Sequence, residues 1–155
     1  MKAYLGIDPG LNGGMSVITE EGIETHKMPP TYPDIYELLL EFTNKYGSGN
    51  IVAILEDVGQ GMPGQSSRAT ATFAEHIGCL KMGLFALGYR TELVKPQKWM
   101  REYSNTIGKS NDCASKTEWK NKLKCEAQRL YPSEKITLWN ADSILLAEYG
   151  KRKHL

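Results

Sequence analysis

The sequence predicts an α/β fold built on a mixed five-stranded sheet, three antiparallel strands followed by two parallel ones, flanked by helices. Three observations predict it. Three strand-like segments crowd into the first 28 residues. Two further short apolar runs follow, each separated from its predecessor by a stretch with helical spacing. The resulting order, β-β-β-α-β-α-β-α-α, is that of a mixed α/β domain.

The elements read as follows. Residues 2–8 form the first strand, and residues 13–19 (GGMSVIT) and 22–28 (GIETHKM) two more, joined at Glu20-Glu21. Strands this close in sequence pair as an antiparallel meander. Pro29, Pro30 and Pro33 break the chain, and residues 34–46 then place Ile35, Leu38, Leu39 and Phe42 at helical spacing, stopped by Gly47-Ser48-Gly49. Ile51-Val52-Ala53-Ile54-Leu55 is an unbroken apolar run, as expected of a central strand covered on both faces. A Gly-, Pro- and Ser-rich loop follows from Gly59. Residues 69–88 read as a long helix whose second half (Ile77, Leu80, Met82, Leu84, Phe85, Leu87) is apolar almost all round, so that it is either the central core helix or shared with a partner chain. Residues 89–94 form the fifth strand and 96–103 a short helix. Residues 104–115 read as a polar, mobile loop, and 116–131 and 140–149 as the last two helices.

The 155 residues suit a single domain spanning 1–155. No run of 18 apolar residues exists, so no membrane span is expected. The N-terminus lacks signal-peptide architecture, and Cys79, Cys113 and Cys125 contain no Cys-x-x-Cys pair. Reduced thiols in a cytoplasmic protein are expected. Charge is uneven. Residues 1–75 carry four Lys/Arg against ten Asp/Glu, and residues 76–155 carry fifteen against eight. The C-terminal half is thus suited to an anionic partner, although lysines on solvated helix faces give the same count.

Three acids stand out. Asp8 and Glu56 each end an apolar strand, and Asp142 lies in the last helix on the side of Leu138, Leu145 and Leu146. A carboxylate beside apolar neighbours is costly unless compensated, and a divalent cation is one compensator. Mg²⁺ prefers carboxylate oxygens and water, and two such ions roughly 3.5–4 Å apart serve phosphodiester cleavage. Taken singly, each acid has a plainer reading: Asp8-Pro9-Gly10 as a capped turn, Glu56 as the first exposed residue after a strand, Asp142 as a helix cap.

The ordered stretches "YLGIDPGLNGG", "AILEDVGQGMPGQSS", "VKPQKWM", "AQRLYP" and "ADSILLAEYG" resemble the RuvC family of Holliday junction resolvases, within the RNase H-like nuclease superfamily. The resemblance is greatest to the small bacteriophage-encoded members, which implies a bacterial host cytoplasm. It spans nearly the whole chain. "GIDPG" alone also occurs in sugar kinases and chaperone ATPases, where it holds phosphate; the ordered set, with "MPGQ" after the acid, is specific.

The resemblance implies an RNase H-like fold, with Asp8, Glu56 and Asp142 as catalytic acids holding two Mg²⁺ ions, or Mn²⁺ in their place. It also implies a lysine facing the scissile phosphate. Counting back from Tyr131-Pro132 gives Lys120, with Lys116, Lys122 and Lys124 as rivals. The family has a further acid or histidine shortly before the last acid. Here the stretch reads Thr137-Leu138-Trp139-Asn140, leaving Asn140, an uncharged ligand at most. DNA contacts are expected from Gly61, Gly64, Gln65, Ser66, Ser67 and Arg68 in the loop, from Phe73 as an aromatic wedge, and from Lys98, Arg101, Lys109, Lys116 and the 151–153 tail. The implied activity is hydrolytic nicking of branched DNA, chiefly four-way junctions, leaving 5′-phosphate and 3′-hydroxyl ends. A symmetric homodimer would present two active sites. Two other readings stay open: a non-catalytic or inactivated branched-DNA binding protein, and a nucleotide-binding phosphotransferase.

Overall fold

A computed structural model describes residues 1–59 and 64–155. Gly61 and most of the "GMPG" segment lie outside the described residues. The elements are β1 (Ala3–Asp8), β2 (Gly14–Ile18), β3 (Ile23–Lys27), α1 (Tyr32–Tyr46), β4 (Ile51–Glu56), α2 (Ser67–Ala86), β5 (Arg90–Val94), α3 (Pro96–Arg101), α4 (Ser104–Ile107), α5 (Lys116–Leu130) and α6 (Ala141–Arg152). The strands form one sheet in the order β3-β2-β1-β4-β5. β1, β2 and β3 pair antiparallel, and β1 with β4 and β4 with β5 parallel. This is the mixed sheet the sequence predicts.

The boundaries follow local chemistry. α1 begins two residues before the expected start, because Pro33 lies in its first turn, where a missing N–H costs nothing. Thr31 caps it, Oγ1 accepting from Asp34 N at 3.3 Å. α2 is capped by Ser66, whose Oγ accepts from Ala69 N at 3.2 Å. The polar 104–115 stretch is not a plain loop: it contains α4 and a 3-10 turn at Ser110–Asp112. α6 starts one residue later than expected and runs three residues further, to Arg152.

The sheet divides two apolar layers. Leu5, Ile7, Ala53 and Leu55 point to α1 and α2 and meet Leu39, Phe42, Leu80 and Leu84. Val52 and Ile54 point the other way, toward Trp99, Leu123, Ile144 and Leu145. The reading of α2 as a central core helix is overturned. In α2 only Leu80 and Leu84 are buried, while Met82 is 64% and Phe85 80% exposed. Periodicity alone did not show this, because the sheet covers only one side of the helix. No helix among the described residues is long and apolar enough to cross a membrane.

α6 lies directly on β1. A Cβ at Gly6 would collide with the Ser143 carbonyl oxygen and sit 2.5 Å from Ala147 N. Beside this contact the buried Ser16 and Ser143 hydroxyls hydrogen-bond at 2.7 Å. Glycine at position 6 therefore sets the height of α6 above the sheet. Gly6→Ala is expected to cost about 3 kcal/mol through forced displacement of α6, read as a lowered urea midpoint. Gly49→Ala, where an added Cβ meets nothing within 4 Å, is the control expected to leave that midpoint in place.

Candidate active site

Two strand ends and one helix start create the site. β1 and β4 are parallel neighbours in the register Ile7–Leu55, so Asp8 and Glu56 end adjacent strands at the same edge. Adjacent strands are spaced about 4.8 Å apart. Side-chain alternation puts both acids on the face of Gly6 and Ile54, the face that α6 covers. α6 is capped at Asn140 and carries Asp142 in its first turn, where the helix dipole favours a negative charge. Asp142 is therefore not the cap. Leu138, expected on the apolar side of the helix, instead precedes it and is 54% exposed.

The three carboxyls lie within one another's field. Burial raises Asp8 well above the ordinary carboxyl range, and the charges of Asp142 and Glu56 raise it further. Burial raises Glu56 to about 7, with Asp142 adding to the rise. Burial raises Asp142 to about 6. The Asp142 charge beside Asp8 opposes ionisation of both at once. Lys120, whose side chain extends from α5, lowers all three. The structure thus places Lys120 in the field of the acids, whereas Lys122 pairs with Glu118 at 3.8 Å.

Glu56 has a further partner that the sequence did not reveal. The indole Nε1–H of buried Trp99 donates to Glu56 Oε2 at 2.7 Å, and this bond favours the ionised form against burial. Asn140, the expected uncharged ligand, is engaged with the loop before α6. It is buried, its Oδ1 accepts from Thr137 N at 2.8 Å and from Thr137 Oγ1 at 3.3 Å, and its Nδ2 donates to the Lys135 carbonyl at 3.1 Å. Both lone pairs of the amide oxygen are thus committed to the loop before α6. Among the described residues, no three His, Cys, Asp or Glu side chains are already drawn into a metal-ligand cluster.

The expected DNA-contacting residues fall into two groups. Gly64, Gln65, Ser66, Ser67 and Arg68 are exposed at the start of α2, with Gly64 at φ +89°, a conformation that favours glycine. Gln65, Ser66 and Arg68 share with Phe73, His76 and Gly10 a cleft of about 820 Å³ beside the Asp8 turn. Here Gly10 N–H donates to His76 Nε2 at 2.9 Å. Burial lowers the His76 pKa and keeps the imidazole a neutral acceptor. Phe73 is half-buried against Gly10 and His76, a cleft wall rather than a freely projecting wedge. Lys98, Lys109 and Lys116 are exposed on separate segments outside the carboxyl cluster.

No protein-family model matches the chain, and no curated protein matches it. Solved structures do. One is a Thermus thermophilus RuvC structure, 16% identical with a TM-score of 0.63, over 98% of this chain and 96% of that one. Another is T. thermophilus RuvC in complex with a Holliday junction substrate, 13% identical with a TM-score of 0.64, over 97% and 96%. The likeness shows a RuvC-like fold.

Raised carboxyl pKa values have a direct consequence for stability. Glu56 is protonated in both folded and unfolded chains below its ordinary value of 4.5, so it costs nothing there. Between 4.5 and about 7 the unfolded chain ionises while the folded one keeps the proton, so metal-free stability falls across that range and the full cost is present above it. Glu56→Gln keeps an acceptor for Trp99 and removes that charge. In EDTA at pH 8 it is expected to stabilise the chain by up to about 3 kcal/mol, with the gain vanishing near pH 4. Denaturant titrations at the two pH values measure it, and an equal gain at both would contradict the assignment.

Proposed function

We propose that the chain is a metal-dependent, structure-selective DNA endonuclease that nicks branched DNA, chiefly four-way junctions. The observation that carries this reading is the convergence of Asp8, Glu56 and Asp142 with Lys120 on one face of a RuvC-like sheet. The solved complex of T. thermophilus RuvC with a Holliday junction substrate supports the substrate class. The motif resemblance to the small bacteriophage members supports a phage-type enzyme that clears branches from replicating DNA.

The donor set fits a hard divalent cation. It is all carboxylate oxygen, and its charges are held back by burial and mutual repulsion in a way that a cation would relieve. Asp8, Glu56 and Asp142 would hold Mg²⁺ or Mn²⁺. When bound, such ions supply Lewis-acid stabilisation and an activated water for in-line displacement at phosphorus. Lys120 places a positive charge where the phosphate gains negative charge in the transition state. The exposed Gly64–Arg68 segment and the basic C-terminal half contact the phosphate backbone, which gives salt-sensitive affinity without sequence information.

The exposed Met82 and Phe85 on α2 support a homodimer through that helix, with one active site for each of two junction strands. One observation favours the rival binding-protein reading: Asn140 brings no charge, and its amide is already committed.

A nicking assay on a synthetic four-way junction, with a linear duplex as control, separates the two. Nicks near the crossover are expected in Mg²⁺ or Mn²⁺ and not in EDTA. Asp8→Asn should abolish them, and Lys120→Met should slow them about 100-fold, both with junction binding in EDTA intact. Binding without nicking in either metal would establish the binding protein. Separately, Phe85→Glu should convert a dimer to a monomer in sedimentation; a wild type that sediments as a monomer would refute the α2 interface.

A further inference from the structure

We propose that Trp99 is the positioning residue of the Glu56 carboxyl, fixing its orientation toward a divalent cation through the bond to Oε2. The inference rests on the nuclease reading above and deepens it. Its basis is geometric. Trp99 has no exposed surface, Glu56 is 7% exposed, and the indole N–H to carboxylate bond is 2.7 Å long. An indole nitrogen donates and never accepts, so it suits a carboxylate oxygen and cannot exchange roles with it. Losing that bond would leave a buried donor without a partner, which costs about 1–3 kcal/mol, so the bond is expected to persist while the remaining lone pairs of the carboxylate face the cation.

The fold aims the indole. Val94 is the register partner of Glu56 on β5. The chain then turns at Lys95-Pro96, and the single turn of α3 brings Trp99 back over the end of β4. Tyr103 packs edge-on against the Trp99 ring at 6.3 Å between centroids. The Tyr103 hydroxyl in turn donates to the Leu145 carbonyl of α6 at 2.6 Å. The helix that carries Asp142 and the strand that carries Glu56 are thus tied through Tyr103 and Trp99. Removal of a partner that orients a metal ligand typically weakens metal binding by 10–100-fold.

The test uses the DNA-free chain and Mn²⁺ or Mg²⁺ alone. Trp99→Phe keeps most of the ring volume and removes the donor. It is expected to weaken Mn²⁺ binding, measured by electron paramagnetic resonance, about 10-fold. Its urea midpoint in EDTA should fall modestly with a cooperative transition retained, and its junction affinity in EDTA should stay near that of wild type. A wild-type Mn²⁺ affinity in a folded Trp99→Phe would overturn the inference and leave the nuclease reading standing. A second measurement needs no Trp99 variant. In ¹⁵N-labelled wild type, the Trp99 indole N–H signal, assigned by elimination with Trp119→Phe and Trp139→Phe, should be protected from exchange. It should shift on Mg²⁺ titration while keeping that protection. A signal that does not move, or that loses protection as Mg²⁺ binds, would overturn the inference. A wild type that takes up no Mn²⁺, with Glu56→Gln indistinguishable from it, would overturn the metal-dependent reading itself.

Discussion

The close seating of α6 on Gly6 is the constraint from which the site follows. A helix packed on a sheet through ordinary side chains is held off by a full layer of those side chains. Over Gly6 the helix backbone meets the strand backbone instead, with the Ser143 carbonyl and Ala147 amide where a Cβ would be. The Ser16–Ser143 hydroxyl pair satisfies the polar atoms that this closeness buries. Only at that height does the first turn of α6 bring Asp142 into the field of Asp8 and Glu56, the last residues of two parallel strands. A parallel pair is what puts two strand ends at one edge, and the helix between them makes the pair possible.

The arrangement costs stability in the metal-free chain. Three carboxyls share a partly dry volume, and the nearest cation, Lys120, has an exposed side chain and does not neutralise them. The chain answers by holding protons: Asp8 and Glu56 both titrate well above ordinary carboxyls. A purely structural site would have exchanged one acid for an amide or an apolar residue at little cost to packing. Strained electrostatics of this kind, concentrated in one place while the rest of the core is conventionally apolar, support the proposed reading of a ligand-binding site.

What the sequence made legible was what depends on local pattern. Asp8 and Glu56 end apolar runs, so their place at strand ends could be read directly, and the βββ-α-β-α-β order implied the sheet. Lys120 came only from the family resemblance, counted back from Tyr131-Pro132, with Lys116, Lys122 and Lys124 left open. Features that depend on packing were not legible. Leu138 has helical spacing from Asp142 but precedes the helix, because Asn140 ties the loop to Thr137 and Lys135 before α6 begins. The same tie explains why Asn140, placed by sequence where a ligand would be, is spent on the loop. The second half of α2 is apolar on every side, and no periodicity states which side the sheet covers. Trp99 was visible within "VKPQKWM", but its bond to Glu56 depends on the β4–β5 register and on the turn at Pro96.

The two partners that hold the acids in place differ in kind, and the difference bears on how the site accepts charge. Trp99 is a fixed donor, buried and aimed at one oxygen, so it restricts Glu56 in geometry while favouring its ionised form. Lys120 is an exposed charge on a flexible stem that acts on all three acids at once. A site meant only to be neutral would place the cation in contact and need no oriented donor. Here orientation is built in and neutralisation is left incomplete. That combination leaves room for a cation and for a lysine that meets a phosphate, the division of labour that the proposed phosphodiester hydrolysis would require.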